Sequence, residues 1–181
     1  PTDIYTLPLH DALPIWQSGN DVILTFTLPT ETTQHLALAH SPEIEIYRDF
    51  APVCSVLPEP AQSSNAVAGN PALFLTIPSA MVGQYAVQNR VRYEDALKPE
   101  DFARNPEMQA VYMVRTRASE KRASADSNPA ILQIFPAGLS IADAKASVTH
   151  DAIVLEWTPP QKTLAGTAVP LAGYRVYRGA A

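Results

Sequence analysis

The chain has 181 residues, of which 46% are hydrophobic and 17% are charged, and its formal net charge is −5 at pH 7. That length can bury one full hydrophobic core and part of another, and the acidic balance argues against a nucleic-acid or anionic-membrane partner. Seventeen prolines against seven glycines, with no long amphipathic pattern, favour strands and turns over helices. We therefore predict an all-β chain with no nucleic-acid partner and no membrane-spanning segment.

The N-terminal segment needs separate treatment. Residues 4–15 closely resemble the conceptual translation of a common sequencing adapter, with one difference near Pro8. We therefore set residues 1–15 aside from the fold and expect the native sequence to begin near Trp16. For the same reason, His10 and Asp11 are not considered as site residues. Because the native N-terminus is not in hand, the presence of a signal peptide or lipid anchor stays open.

Internal repetition is the strongest pattern in the chain. The sequence Val-Ile-Leu-Thr-Phe-Thr-Leu-Pro at residues 22–29 has a counterpart, Ile-Val-Leu-Glu-Trp-Thr-Pro-Pro, at 153–160. Likewise Ile-Glu-Ile-Tyr-Arg at 44–48 has the counterpart Tyr-Arg-Val-Tyr-Arg at 174–178. The two segments keep nearly the same spacing in both copies, which indicates two related domains.

Each repeated segment has the alternation of a half-buried strand. In the second segment, Ile44 and Ile46 share one face, while Glu43, Glu45 and Tyr47 share the other. We expect the isoleucines to face the core and the opposite face to be solvated.

The first repeated segment has the same character. Val22, Leu24 and Phe26 share a predicted inward face, with Ile23 among the residues opposite. Trp157 aligns with Phe26, so both are predicted to be large core aromatic residues of their domains.

Further elements follow in chain order. We predict strands at 72–77, 88–93, 108–117 and 129–135, a turn or short helix within 79–87, and one helical turn at 98–104 that begins at a proline. About seven strands with this spacing suit a β-sandwich.

A family resemblance rests on the last of these strands. Tyr-Met-Val-Arg-Thr-Arg-Ala at residues 112–118 resembles the F strand of fibronectin type III domains, and residues 124–134 resemble their F–G turn and G strand. Trp157 and residues 174–178 resemble the B-strand tryptophan and the C strand. The resemblance implies an immunoglobulin-like β-sandwich.

Residues 16–137 are then one near-complete domain with insertions, and residues 138–181 supply strands A to C of a second. Tyr112 would be the tyrosine-corner residue, whose hydroxyl bonds back to the backbone. The sequence departs from the family by an insertion at about residues 51–71 and another at 100–109.

The tandem arrangement and the polar stretch at residues 119–128 also resemble type III regions of predicted bacterial lipoproteins of the acidobacterial kind. That likeness implies export and lipid anchoring.

Candidate catalytic and metal-binding residues are few. His35, His40 and His150 lie in predicted loops without the spacing of a metal site, and Cys54 is expected to be structural because no basic neighbour would lower its pKa. Glu43 and Glu45 project from one strand face and are the alternative candidates for a catalytic pair of carboxylates. The neighbours Glu94-Asp95 and Glu100-Asp101 offer oxygen atoms for calcium but lack a glycine-bearing loop.

The only basic run contains Arg115, Arg117, Lys121 and Arg122. Alternation places Arg115 and Arg117 on one face of their strand, where Glu43 and Glu45 on a neighbouring strand would pair with them.

Three functional hypotheses follow. The first is a noncatalytic binding or spacer module of an exported bacterial surface or periplasmic protein, which contacts protein or carbohydrate through its loops and needs no cofactor. The second is an accessory domain of a secreted hydrolase whose catalytic domain lies elsewhere. The third makes the 51–71 insertion a recognition loop for a partner.

Overall fold

The computed structural model describes residues 13–31, 35, 37–52, 71–103, 108–119, 122–169 and 171–179. The chain divides into two compact units, unit 1 at Pro1–Phe135 and unit 2 at Pro136–Ala181. The all-β prediction is confirmed, because the structure consists mostly of strands in antiparallel sheets with few helices. The predictions for residues 1–12, Cys54, the 53–70 part of the insertion and Lys121 fall outside the described residues.

Eleven strands lie within the described residues: β1 (Ile15–Ser18), β2 (Asp21–Thr27), β3 (Glu43–Pro52), β4 (Ala72–Ile77), β5 (Ala86–Val87), β6 (Arg90–Ala96), β7 (Met108–Ser119), β8 (Arg122–Ala123), β9 (Ala130–Ile134), β10 (Lys145–Val148) and β11 (Ile153–Glu156). The helices are a 3₁₀ turn (Ser79–Met81), α1 (Val82–Tyr85) and α2 (Pro99–Ala103). The predicted helical elements at 79–87 and 98–104 are thereby confirmed. The longest described helix has five residues, and none is long and apolar enough to cross a membrane.

The first sheet of unit 1 has the strand order β1-β2-β6-β5. A two-residue turn joins β1 to β2 and contains Gly19, whose φ of 62° lies in the left-handed region that such hairpins require. Residues 13–15 belong to this sheet, although their likeness to adapter sequence predicted that they lie outside the fold. Leu13 is buried, the backbone N–H of Thr25 donates to the carbonyl of Pro14, and Ile15 pairs with Leu24.

The second sheet of unit 1 places β3 between β4 and β7, and β8 and β9 pair with the far side of β7. All of these pairings are antiparallel. The register of β4 on β3 shifts at one point, because Ile46 lies opposite Leu75 while Tyr47 lies opposite Leu73. Phe74 is thus the extra residue of a β-bulge, which redirects its side chain.

The core of unit 1 uses side chains from both sheets. Val22, Leu24, Ile44 and Ile46 are fully buried, as their alternation predicts, and Phe26 is 6% exposed. Each such buried aliphatic side chain contributes about 1.5–3 kcal/mol of transfer free energy.

Burial departs from the predicted alternation at Ile23, which is 4% exposed on the face expected to be open. Trp16 lies directly opposite Ile23 on β1, so the indole ring is placed to cover it.

Unit 2 contains an antiparallel hairpin of β10 and β11, in which Val148 pairs with Ile153 and Ala146 with Leu155. The predicted strand at residues 174–178 is wrong, because no described strand pairs with it and a strand forms only against a backbone partner. Trp157, the predicted core aromatic residue, is half-buried, and its ring meets the ring of Tyr174 edge-on at a centroid distance of 5.0 Å.

Candidate binding groove and charged clusters

A charged cluster, here called the inner cluster, lies inside unit 1 and joins β3, β6 and β7. It consists of Arg48, Asp95 and Tyr112. The guanidinium Nη1 of Arg48 lies 2.7 Å from Oδ2 of Asp95, and the hydroxyl of Tyr112 donates to the same oxygen over 2.6 Å. The side chain of Asp95 is 3% exposed and Tyr112 is fully buried, so a charge-assisted network connects the two sheets.

Two aromatic rings flank the cation of the inner cluster. The Cζ atom of Arg48 lies 3.8 Å from the ring centroid of Phe74 and 4.8 Å from that of Phe50. The β-bulge at Phe74 turns that ring toward Arg48. Because the electron-rich ring faces attract a cation, they offset part of the cost of removing Arg48 from water.

Electrostatics fix the protonation states of Tyr112 and Arg48. Burial raises the pKa of the Tyr112 hydroxyl far above its ordinary value, and the charge of Asp95 raises it further. Burial alone would lower the pKa of Arg48, but the hydrogen bond and the charge of Asp95 outweigh it and raise that pKa. Tyr112 therefore stays a neutral donor and Arg48 stays a cation, which suits a role in holding strands together.

The sequence alone predicts different partners for two of these residues. The resemblance implies that Tyr112 bonds to the backbone, whereas its hydroxyl donates to the side chain of Asp95. Asp95 was an alternative calcium ligand, but it pairs with Arg48. One signal in the sequence could have found this pair: Arg48 continues the inward series of Ile44 and Ile46, and a cation at an inward position requires a buried carboxylate partner.

A second cluster, here called the outer cluster, lies on the opposite face of β3 and β7. Oε2 of Glu45 accepts from Nε of Arg115 over 2.9 Å, and Oε1 accepts from Nε of Arg117 over 2.7 Å. Glu43 approaches Arg117 at 4.0 Å. The predicted cross-strand pairs are therefore confirmed, but the prediction that Glu45 lies on a solvated face is wrong. That residue is 5% exposed, because the two arginine side chains pack against its carboxylate.

Tyr47 and Asp126 complete the outer cluster. The hydroxyl of Tyr47 donates to Oε2 of Glu45 over 3.0 Å, Arg115 in turn donates to that hydroxyl, and Asp126 lies 3.5 Å from Arg115. Burial alone would raise the pKa of Glu45, but the hydrogen bonds and charges of Arg117 and Arg115 lower it. Both carboxylate oxygens already accept hydrogen bonds from arginines, so Glu45 is poorly suited to act as a base or a metal ligand.

A groove of about 460 Å³ opens beside the outer cluster, at the end of unit 1 where loops meet. Its origin is geometric: the pairing of β3 with β7 ends at Glu43 and Arg117, and the chain before Glu43 diverges from the chain after Arg117. Ser79 donates from its hydroxyl to the carbonyl of Ser41 and fixes one wall. The lining residues are Leu38, Ala39, His40, Ser41, Pro42, Glu43, Ser79, Arg117, Ala118 and Ser119.

The volume of the groove lies within the range typical of ligand sites. Its walls mix apolar side chains with Glu43, Arg117 and three serines, so it offers both contact area and hydrogen-bonding groups. No sequence pattern predicts the groove, because the wall segments are far apart in the chain and only the fold brings them together.

The remaining candidate residues for catalysis or metal binding do not lie together in one site. His35 lies 3.4 Å from Glu31 and His150 lies 3.7 Å from Asp151, both on exposed surface, while His40 alone lines the groove. Asp101 accepts from the backbone N–H of Lys98 and caps α2. In the described part of the chain, no group of three or more His, Cys, Asp or Glu residues could hold a metal ion.

No family model matches this chain, and no curated protein matches it.

Proposed function

We propose that unit 1 is a fibronectin type III-like β-sandwich that serves as a noncatalytic binding or spacer module of an exported bacterial surface or periplasmic protein. It contacts its protein or glycan partner at the groove between residues 38–43 and 117–119. The observation that carries the proposal is this groove at one end of two antiparallel sheets.

The strand order supports the sandwich. In the proposed assignment, β1, β2 and β6 are strands A, B and E of one sheet, and β3, β7 and β9 are strands C, F and G of the other, with β4 beside C; the observed pairings are consistent with it. The hydrogen bond from Tyr112 to Asp95 links the two sheets near the start of β7, where the tyrosine corner of such domains lies.

The charged clusters support a noncatalytic role. Asp95 and Glu45 are the two buried carboxylates of unit 1 among the described residues, and arginines pair with both. A general base or nucleophile must reach a substrate with a lone pair, whereas Asp95 is buried between the sheets and both oxygens of Glu45 accept from arginines. Their ion pairs hold neighbouring strands together.

The position of the groove supports recognition. In immunoglobulin-like domains the loops that follow strands B and F lie at the same end, and variable domains bind antigen there. Residues 38–43 precede β3 and residues 117–119 end β7, so the corresponding loops form the two walls. Binding residues are commonly placed on loops that a rigid scaffold positions.

A ligand screen with a matched pair of variants tests the proposal. The full chain is probed on a glycan array and with a displayed library of bacterial surface proteins, and each hit is measured again with Ala118→Arg and Ala96→Arg. Ala118 lines the groove, whereas Ala96 is exposed on β6 outside it. We expect the bulky cation at position 118 to weaken binding at least tenfold and the one at 96 to leave it unchanged.

Ligands that bind both variants equally would place recognition elsewhere on the molecule. The absence of any saturable ligand on both platforms would instead leave the spacer role as the better description of unit 1.

A further inference from the structure

The groove beside the outer cluster has an uneven distribution of charge. Its titratable lining residues, within the described part of the chain, are His40, Glu43 and Arg117. The positive charge of Arg117 is already matched, because its Nε donates over 2.7 Å to the buried carboxylate of Glu45. The carboxylate of Glu43 is therefore the charge that the groove can offer to a ligand.

Glu43 has room for a second cation. Among the residues that the structure describes, its nearest cation is Arg117, and the distance of 4.0 Å from Nε of Arg117 to Oε1 of Glu43 is too long for a hydrogen bond. The side chain of Glu43 is 33% exposed and lines the groove. A positively charged group that enters the groove can thus pair with Glu43 while Arg117 stays on Glu45.

The outer cluster as a whole has the same imbalance. Its two guanidinium groups face three carboxylates, so the described residues of the cluster carry an excess of negative charge. The members are Glu43, Glu45, Arg115, Arg117 and Asp126. Because a surface of one sign attracts groups of the other, the cluster favours a cationic ligand over an anionic one.

The walls beside Glu43 suit the stem of a long basic side chain. Leu38, Ala39 and Pro42 supply apolar surface next to the carboxylate. Lysine and arginine bury their methylene stems along such surface while the charged head stays at a polar group. The described lining contains no Phe, Tyr or Trp ring on which the apolar face of a sugar could stack, so a basic side chain fits the groove better than a glycan does.

Hydrogen bonds hold the apolar wall in place. The backbone N–H of Leu38 donates to the carbonyl of Thr30 over 2.9 Å, and the hydroxyl of Ser79 donates to the carbonyl of Ser41. A wall that is already ordered loses little conformational entropy when a ligand binds. The groove is therefore preorganised on the side that would contact the stem.

We infer that the groove binds a lysine or arginine side chain of a protein partner, with Glu43 as the carboxylate that pairs with its charge. The inference rests on the proposed function and narrows its partner to a protein segment with an exposed basic residue. A partly exposed ion pair strengthens binding by only about threefold to fivefold. The rest of the affinity comes from the stem and from the neighbouring residues of the partner.

An NMR titration of the isotope-labelled full chain with three small probes tests the inference. The probes are N-acetyl-arginine amide, its neutral isostere N-acetyl-citrulline amide, and N-acetyl-glutamate amide, at about pH 8, where imidazole groups are ordinarily neutral. We expect the arginine probe to shift the amide signals of the groove residues saturably, and the citrulline probe to bind about threefold to fivefold more weakly. We expect no saturable shift with the glutamate probe.

Two substitutions that neutralise a carboxylate provide a matched pair of variants. Glu43→Gln removes the carboxylate of the groove, whereas Glu94→Gln removes an exposed carboxylate on β6, outside the groove. We expect Glu43→Gln to weaken the arginine probe to the level of the citrulline probe, and Glu94→Gln to leave its binding unchanged.

Four results overturn the inference: equal binding of the arginine and citrulline probes, tighter binding of the glutamate probe, no saturable shift with the arginine probe, or an arginine response that survives Glu43→Gln. None of them contradicts binding at the groove itself, which the glycan array and the displayed library test independently. A ligand from that screen that is sensitive to Ala118→Arg but indifferent to Glu43→Gln would keep the groove as the binding site and reject the basic side chain.

Discussion

The inner and outer clusters lie on opposite faces of the same two strands, yet they handle charge in different ways. In the inner cluster one carboxylate, Asp95, is matched by one guanidinium and one phenol hydroxyl, and two aromatic rings flank the cation. In the outer cluster one carboxylate, Glu45, is shared by two guanidinium groups that are each more than a quarter exposed.

The difference shows what burial does to an ion pair. Arg48 and Asp95 have little access to water, so each depends on the other for its stabilisation. Arg115 and Arg117 can hydrate if Glu45 is lost, because their side chains reach solvent. We therefore expect the free energy of unfolding to fall more when the carboxylate of the inner cluster is replaced by an uncharged amide than when that of the outer cluster is.

The largest effect is expected for Asp95→Asn. This change removes the buried carboxylate that pairs with Arg48 and the charged acceptor of the Tyr112 hydroxyl, so we expect a loss of roughly 3–5 kcal/mol in the free energy of unfolding. The measurement is urea unfolding of the full chain followed by the fluorescence of Trp16 on β1 in a Trp157→Phe background. A loss below about 1 kcal/mol would show that the pair contributes no more than an exposed one.

A smaller effect is expected for Glu45→Gln. Hydrogen bonds to charged groups contribute about 1.5–3 kcal/mol each, but the arginines regain water, so we expect a net loss of about 1–2 kcal/mol at pH 7. The same urea titration measures it. A loss that equals or exceeds that of Asp95→Asn would contradict the comparison between the clusters.

The pH dependence of that loss has a defined sign. The pKa of Glu45 is lowered in the folded chain from its ordinary value of 4.5. Its stabilising contribution is therefore complete above the ordinary value and disappears as the pH falls through the lowered one. The difference between wild type and Glu45→Gln should shrink below pH 4.5, and a difference that grows there would contradict the assignment.

Much of the fold followed from local pattern. The alternation at residues 22–28 and 44–48 predicted strands and their inward faces, because the period of two is a property of the strand itself. The pairing of Arg115 and Arg117 with Glu45 was also predicted, since adjacent strands place alternating residues side by side.

The rest depended on contacts that no local pattern encodes. Arg48 and Asp95 lie on strands of different sheets, so their pairing is set by how the sheets pack. Residues 174–178 have the alternation of a strand, but no strand among the described residues pairs with them. The groove likewise arises where two paired strands separate, which is a property of the assembled sheet.

The smallest effect is expected for Glu94→Gln, one residue before Asp95 on β6. Glu94 pairs with Arg92 at 2.7 Å, close to the distance in the inner cluster, but both side chains are more than half exposed. Exposed pairs contribute about 0–1 kcal/mol, so we expect a loss below about 0.5 kcal/mol in the same urea titration. Because the two carboxylates are adjacent on one strand and differ mainly in burial, similar losses for Glu94→Gln and Asp95→Asn would mean that burial does not set the strength of these pairs.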